Sequence, residues 1–151
     1  MTGSSSTSIW THYKNGARNI YGLNFRDGYK KNEKLDSIII TPTTKGAVDR
    51  PITRAEIIEN YLSENEYSFI TERALELFNE WQKTAIKQGL ILVDTKYEFG
   101  YLTNGDIILI DELHTCDSSR YWLEATYYDN FYNGLEPDKL DKDAIRDWVK
   151  S

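Results

Sequence analysis

The stretch Tyr97-Glu98-Phe99-Gly100-Tyr101-Leu102-Thr103-Asn104-Gly105-Asp106-Ile107-Ile108-Leu109-Ile110-Asp111-Glu112 decides how this sequence folds. Asn104-Gly105 between two apolar runs is the strongest short hairpin signal, because both residues accept the left-handed backbone of a two-residue type I′ turn. Residues 97–102 and 106–112 then pair antiparallel, with Thr103 opposite Asp106 and Glu98 directly opposite Asp111. Strand alternation, absent a bulge, puts Asp94 and Lys96 on that same face. Like charges opposed across a ladder, with Cβ atoms roughly 4.5–5.5 Å apart, repel each other. A hairpin kept for stability alone would not place two carboxylates there. Three arrangements relieve the repulsion: the side chains splay into solvent, Lys96 acts as a counter-ion, or a divalent cation binds. An all-oxygen pair suits magnesium, which usually takes one or two carboxylates together with substrate phosphates.

Working outward, residues 90–96 run from apolar to polar as a strand leaving the interior. Before them, Ile70, Ala74, Leu77, Phe78, Trp81 and Ala85 recur at three- and four-residue steps, which predicts a helix over 66–88 with a core-facing stripe, closed by Gly89. Thr53-Arg54-Ala55-Glu56 is a capping-box pattern opening a helix to about Leu62. Ser37-Ile38-Ile39-Ile40-Thr41 reads as a buried strand stopped by Pro42. Asn15-Gly16, Tyr21-Gly22 and Asp27-Gly28 mark turns in a mixed segment over 9–32. Residues 121–134 read as aromatic and irregular, and Asp141 as the cap of a final helix to about Lys150. Helices and antiparallel strands in separate runs indicate an α+β class.

The 151 residues suit one domain, and 40% apolar with 28% charged content is globular. Eighteen Lys and Arg against 24 Asp and Glu give −6, which argues against a general phosphate-backbone binder, since such proteins need a net basic face. The longest apolar runs fall far short of the roughly 18 residues that cross a bilayer. A single cysteine, Cys116, excludes an intrachain disulfide framework and fits a reducing compartment. With no basic-then-apolar start, the expected localisation is cytoplasmic. Ser4-Ser5-Ser6-Thr7-Ser8 reads either as a flexible tail or as a set of hydroxyls for an anion. His12 and His114 are too few for a histidine metal site and read as partly buried hydrogen-bonding side chains. Trp122 is a candidate base-stacking ring beside its more ordinary role as core.

Asp117-Ser118-Ser119-Arg120 follows the second hairpin strand by a short loop. Arg120 offers a bidentate fork for phosphate or carboxylate, and the two serines offer neutral hydrogen bonds. An ordinary surface arginine is the alternative.

Leu92-Val93-Asp94-Thr95-Lys96-Tyr97-Glu98-Phe99-Gly100 resembles the signature of the SAICAR synthetases, the phosphoribosylaminoimidazole-succinocarboxamide synthases. Thr2-Gly3-Ser4, Pro42-Thr43-Thr44-Lys45, Ile110-Asp111-Glu112, Asp117-Ser118-Ser119-Arg120-Tyr121-Trp122, Asp141-Lys142 and Arg146-Asp147-Trp148 follow in the family's order. The resemblance implies a SAICAR synthase-like α+β fold, distantly related to kinase and ATP-grasp folds. It also implies a ligase that joins the carboxylate of the aminoimidazole ribotide CAIR to the amine of L-aspartate with ATP and magnesium. ATP would activate the carboxylate as an acyl phosphate, and the amine would displace phosphate. Lys96, Glu98 and Asp111 match the family's catalytic positions, Glu98 and Asp111 its metal and nucleotide-phosphate carboxylates. Ser4, Ser5, Ser118 and Arg120 would hold ribotide phosphate or aspartate, with Lys45 and Asp49 near the substrate end.

Members of the family carry an N-terminal ATP-binding lobe before Thr-Gly-Ser, and Met1 falls inside that motif. The resemblance therefore implies a C-terminal portion, residues 1–151, lacking that lobe. Its partner would be a separate N-terminal half or, through the exposed docking surface, a second copy. A catalytically incomplete binding or interaction module is the alternative function, and a general small-molecule phosphotransferase a third. Val48 stands where the family usually has a histidine, and Cys116 where it has a proline.

Overall fold

The computed structural model describes residues 1–3, 5–44, 47–111, 113–142 and 144. It is of the α+β class, with small antiparallel sheets, and divides into two compact units, Met1–Ser68 and Phe69–Ser151. No helix among the described residues is long and apolar enough to cross a membrane.

In the first unit, Ser8 starts helix α1 (Ile9–Lys14) by accepting the Thr11 N–H at 3.2 Å. Strands β1 (Asn19–Ile20) and β2 (Leu23–Asn24) form a short hairpin around Tyr21-Gly22. Both turn residues have positive φ, 58° and 76°, as a type I′ turn requires. The Tyr13 hydroxyl accepts from the Tyr29 N–H and donates to the Arg26 carbonyl, each at 3.0 Å, so this buried phenol is satisfied in both directions. Met1, Tyr13, Ile20, Tyr21 and Tyr29 form the core here. Residues 37–41 are not a strand. They run irregularly, with Ile38 exposed, and among the described residues the only strand pairing nearby is an isolated bridge between Thr43 and Pro51. An apolar run alone does not make a strand without a partner to complete its ladder. Helix α2 (Arg54–Asn60) begins with the expected capping box, Thr53 and Glu56 each serving the other's backbone.

Helix α3 (Glu64–Lys87) starts two residues before the sequence reading has it, because Ser63 and Glu66 make a second box of the same kind. It ends at Gly89, whose φ of +71° is the left-handed cap conformation. Of its stripe, Ala74 and Ala85 are buried while Trp81 remains 39% exposed, so the stripe is less a core face than the sequence implies. Strand β3 (Leu90–Thr95) pairs antiparallel with β6 (Ser119–Leu123), and Ala85, Leu92 and Tyr121 form the centre of this unit. Strand β6 and helix α4 (Glu124–Tyr132) occupy most of the stretch expected to be irregular. The aromatics there are spent on packing. Trp122 is buried and stacks on Tyr127 at 5.6 Å, which removes it as a base-stacking platform. The expected final helix lies mostly outside the described residues. Asp141, its expected cap, is buried and accepts the Tyr121 N–H at 2.8 Å.

Strands β4 (Glu98–Tyr101) and β5 (Ile107–Asp111) form the decisive hairpin. Beside it, His114 sits with φ 57° and is buried. Its ring stacks on Trp81 at 4.8 Å and 5°, and its Nε2 is 2.8 Å from the Tyr97 hydroxyl. The Tyr121 hydroxyl donates to the His114 carbonyl and accepts from Trp81 Nε1, both at 3.0 Å. Burial pushes the imidazole down to about 4 and the Tyr97 phenol up, so both are neutral near pH 7.

The unfolded chain gains a proton on His114 below about pH 6.5, whereas the folded one, its imidazole buried against the Tyr97 hydroxyl, refuses it until about 4. This contribution to stability is complete above pH 6.5 and is lost as pH falls through that window. Asn tolerates the left-handed backbone and does not titrate. The stability gap between the unaltered chain and His114→Asn, measured by urea unfolding, is therefore expected to narrow from pH 7 to pH 4. A gap that does not change with pH contradicts the assignment.

Candidate functional site

The hairpin reaches the expected juxtaposition by a different route. Leu102 N–H bonds to the Asp106 carbonyl and Gly105 N–H to the Leu102 carbonyl, at 2.8 and 2.9 Å. The loop is therefore the three residues Thr103-Asn104-Gly105, with only Gly105 left-handed, at φ +90°. This is a type I turn closed by a glycine bulge, not the two-residue type I′ turn, and Thr103 does not face Asp106. The Asn104 side chain stabilises it by bonding to the Asp106 backbone and carboxylate. The change shifts the register by one, so that Tyr101 pairs with Ile107, Gly100 with Ile108 and Phe99 with Leu109.

A β-bulge between Glu98 and Phe99 then restores the pairing, and Glu98 stands opposite Asp111. Ile110 is the extra residue. Its side chain fills the space beside Gly100, where an added Cβ would meet it at 3.1 Å. Phe99 and Leu109 point to the other face, where they line a groove with Phe69 and Leu77 of α3. Two carboxylates thus meet at the open end of the ribbon, on the face away from the helix.

Lys96 forms an ion pair with Glu98, so the counter-ion arrangement is the one observed. The Asp111 side chain is exposed. Asp94 pairs with Arg120 across the β3–β6 ladder, just after a bulge between Leu92 and Asp94. The Arg120 guanidinium is accordingly engaged across its own ladder, while remaining one-third exposed. Ser118 accepts the Lys96 N–H through its carbonyl at 3.1 Å, and its hydroxyl is 3.1 Å from that of Thr115. Its neighbour Ser119 is buried and bonds to the Thr95 hydroxyl at 2.7 Å. Lys142 pairs with Asp117 at 2.9 Å, which anchors the loop between β5 and β6.

Among the described residues no group of three or more His, Cys, Asp or Glu side chains is placed to hold a metal ion. Glu98 and Asp111 provide two hard oxygen donors, which fits magnesium completed by phosphate oxygens rather than an all-protein cage. In the first unit, Ser5 and Asp49 are exposed, and the Ser5 hydroxyl is 3.2 Å from that of Thr7. Val48 is 80% exposed. Ser4 and Lys45 lie outside the described residues.

The sequence reading passed over Tyr97 and His114 as parts of the site. The available signal was alternation: a tyrosine between Lys96 and Glu98 must point to the opposite face, and the next polar ring beyond Asp111 is His114.

The SAICAR synthetase family profile matches residues 1–151. The chloroplastic phosphoribosylaminoimidazole-succinocarboxamide synthase of Vigna aconitifolia is 53% identical, aligned over 100% of this chain and 45% of that protein. The synthase of Legionella pneumophila strain Paris is 48% identical over 98% of this chain and 48% of its own length. Among solved structures, a SAICAR synthase superposes with a TM-score of 0.76 at 31% identity, covering 98% of this chain and 46% of that one. The Saccharomyces cerevisiae enzyme complexed with SAICAR gives 0.73 at 30%, covering 97% and 46%. A SAICAR synthetase in complex with ADP gives 0.64 at 31%, covering 85% and 52%. The chain belongs to the SAICAR synthetase family, and it spans about half the length of the relatives it matches.

Proposed function

We propose that this chain is the C-terminal part, residues 1–151, of an ATP-dependent ligase that joins CAIR and L-aspartate to form SAICAR. The observation that carries the reading is Glu98 opposite Asp111 at the open end of the hairpin, with Lys96 beside them. Support comes from relatives named as SAICAR synthases, one structure holding SAICAR and another ADP.

Glu98 and Asp111 would hold magnesium, which when bound offsets negative charge on the phosphoryl group in transfer. Lys96 would exchange its contact with Glu98 for one with a phosphate oxygen, a rearrangement of two partly exposed side chains. The CAIR carboxylate would attack the γ-phosphorus of ATP, releasing ADP and forming an acyl phosphate. The amine of aspartate would then attack the acyl carbon, form the amide and expel phosphate. Ser118 and Arg120 are assigned to ribotide phosphate or aspartate, together with Ser4, Ser5, Lys45 and Asp49. A cytoplasmic setting is in keeping with exposed Cys116 as a free thiol.

Because the chain spans about half of its relatives, turnover is assigned to it in combination with a polypeptide carrying the relatives' N-terminal half. Without such positioning of the nucleotide, ~several kcal/mol of barrier lowering would be lost. A second reading is a binding module without turnover. Phosphate release from ATP with CAIR and aspartate, with and without the added N-terminal half, separates the two. Release that depends on both substrates is expected in the complemented mixture, and none in either mixture rejects the ligase reading.

Replacing Asp111 by Asn removes one of two opposed charges. The metal-free protein is expected to be no less stable, while magnesium-dependent ADP binding in the complemented enzyme weakens at least about tenfold. Glu98→Ala is expected to weaken that binding to a similar extent with the helices still folded. Unchanged binding by calorimetry, with either variant, contradicts the metal assignment.

A further inference from the structure

The hairpin carrying the two carboxylates is closed by a turn at one end only. Among the described residues Glu98 and Asp111 form its outermost rung at the other end, beyond a bulge, where a two-stranded ribbon ordinarily frays. The next residue outward on one side is Tyr97, and three residues outward on the other is His114. Their side chains meet at 2.8 Å, hydroxyl to Nε2, which adds a side-chain rung directly behind the acid pair. His114 is itself immobilised by its stack on Trp81 and by the Tyr121 hydroxyl on its carbonyl. Trp81 is tied to the same Tyr121 hydroxyl. Trp81 belongs to α3 and Tyr121 to β6, so the rung connects the ribbon mouth to both neighbours. On the other side of Tyr97, the Lys96 N–H is fixed to the Ser118 carbonyl at 3.1 Å.

We propose that Tyr97 and His114 are positioning residues for the metal site: their hydrogen bond clamps the mouth of the hairpin and sets the separation of Glu98 and Asp111. The proposal rests on the metal role assigned to that pair above. Neither residue touches the ion. Both carboxylates lie on strands that the clamp joins, one residue and three residues away from it, and the clamp sits on anchors that do not depend on bound ligand. Removing it leaves the turn-end rungs intact and frees the acid pair to separate, as like charges do when nothing holds them.

The test uses the full chain, complemented with the N-terminal half for ligand binding, and the probe Mn2+ with ADP. Tyr97→Phe keeps the ring and deletes the hydroxyl. His114→Asn deletes the ring nitrogen that bonds the Tyr97 hydroxyl and retains a residue suited to φ 57°. Each is expected to weaken Mn2+ binding in the presence of ADP by roughly tenfold, and the double variant by no more than either single one, because all three lose the same bond. Hydrogen exchange at the amides of residues 96–98 and 111 is expected to quicken, with the rungs at Tyr101 and Ile107 unchanged. A purely structural role would instead quicken exchange throughout the unit, and additive losses or unaltered affinity would also overturn the proposal. If the unaltered protein binds no Mn2+ with ADP, the metal role fails. The exchange pattern then still decides the clamp, supporting it if the change is confined to the mouth and overturning it if uniform or absent.

Discussion

Two like charges held face to face at the end of a ladder are what the second unit is arranged around. Glu98 and Asp111 gain nothing from each other in water, and Lys96 pairs with Glu98. A sequence under pressure for stability alone has easy remedies at either position, since a neutral or basic residue would remove the repulsion. On the proposed function the pair is a site for positive charge arriving with a ligand, where the repulsion in the empty state becomes attraction in the loaded one. That gives the surrounding structure its task, which is to keep the two strands from separating at the place where they are least inclined to stay together.

The backbone does this with irregularities rather than with regular strand. One bulge between Glu98 and Phe99 inserts Ile110 and brings Asp111 back into line after the three-residue turn has shifted the register. Gly100 permits it, because Ile110 occupies the volume that a side chain there would need. A second bulge, between Leu92 and Asp94, precedes the rung on which Asp94 pairs with Arg120. Bulges beside functional side chains re-aim them at little cost to the rest of the sheet. The hydrogen-bonded cluster of Trp81, Tyr121, His114 and Tyr97 then fixes the junction between the two ladders from behind.

How much of this could be read from letters depends on the range of the interaction responsible. Thr53 with Glu56, and Gly89 after α3, are governed by contacts within four residues, and both appear where the sequence puts them. Ser8 before α1 and Ser63 before Glu66 carry equally local signals that went unread. Residues 37–41 have the composition of a strand but no partner strand, and pairing is a nonlocal fact. The stretch after Arg120 looked irregular because its aromatics follow packing against Tyr127 rather than any period. The hairpin is the instructive case. Glu98 does face Asp111, yet the assumed turn and the neglected bulge are each off by one residue, in opposite directions, and they cancel. Family resemblance reached the same two residues without passing through that geometry, while for the Tyr97–His114 rung alternation gives only the face of Tyr97, and the contact itself joins side chains 17 residues apart.

Membership of the SAICAR synthetase family is established by the match over residues 1–151, and the structure adds a physical reason why the family's chemistry would be sited on this ribbon. The most direct test is carboxyl 13C NMR of the complemented full chain with ADP, following the Glu98 and Asp111 resonances as magnesium is added. The account requires both to move together along a single saturating isotherm, as Lys96 gives up Glu98 to the ion. Resonances that stay in place, or movement of one carboxyl without the other, would contradict it.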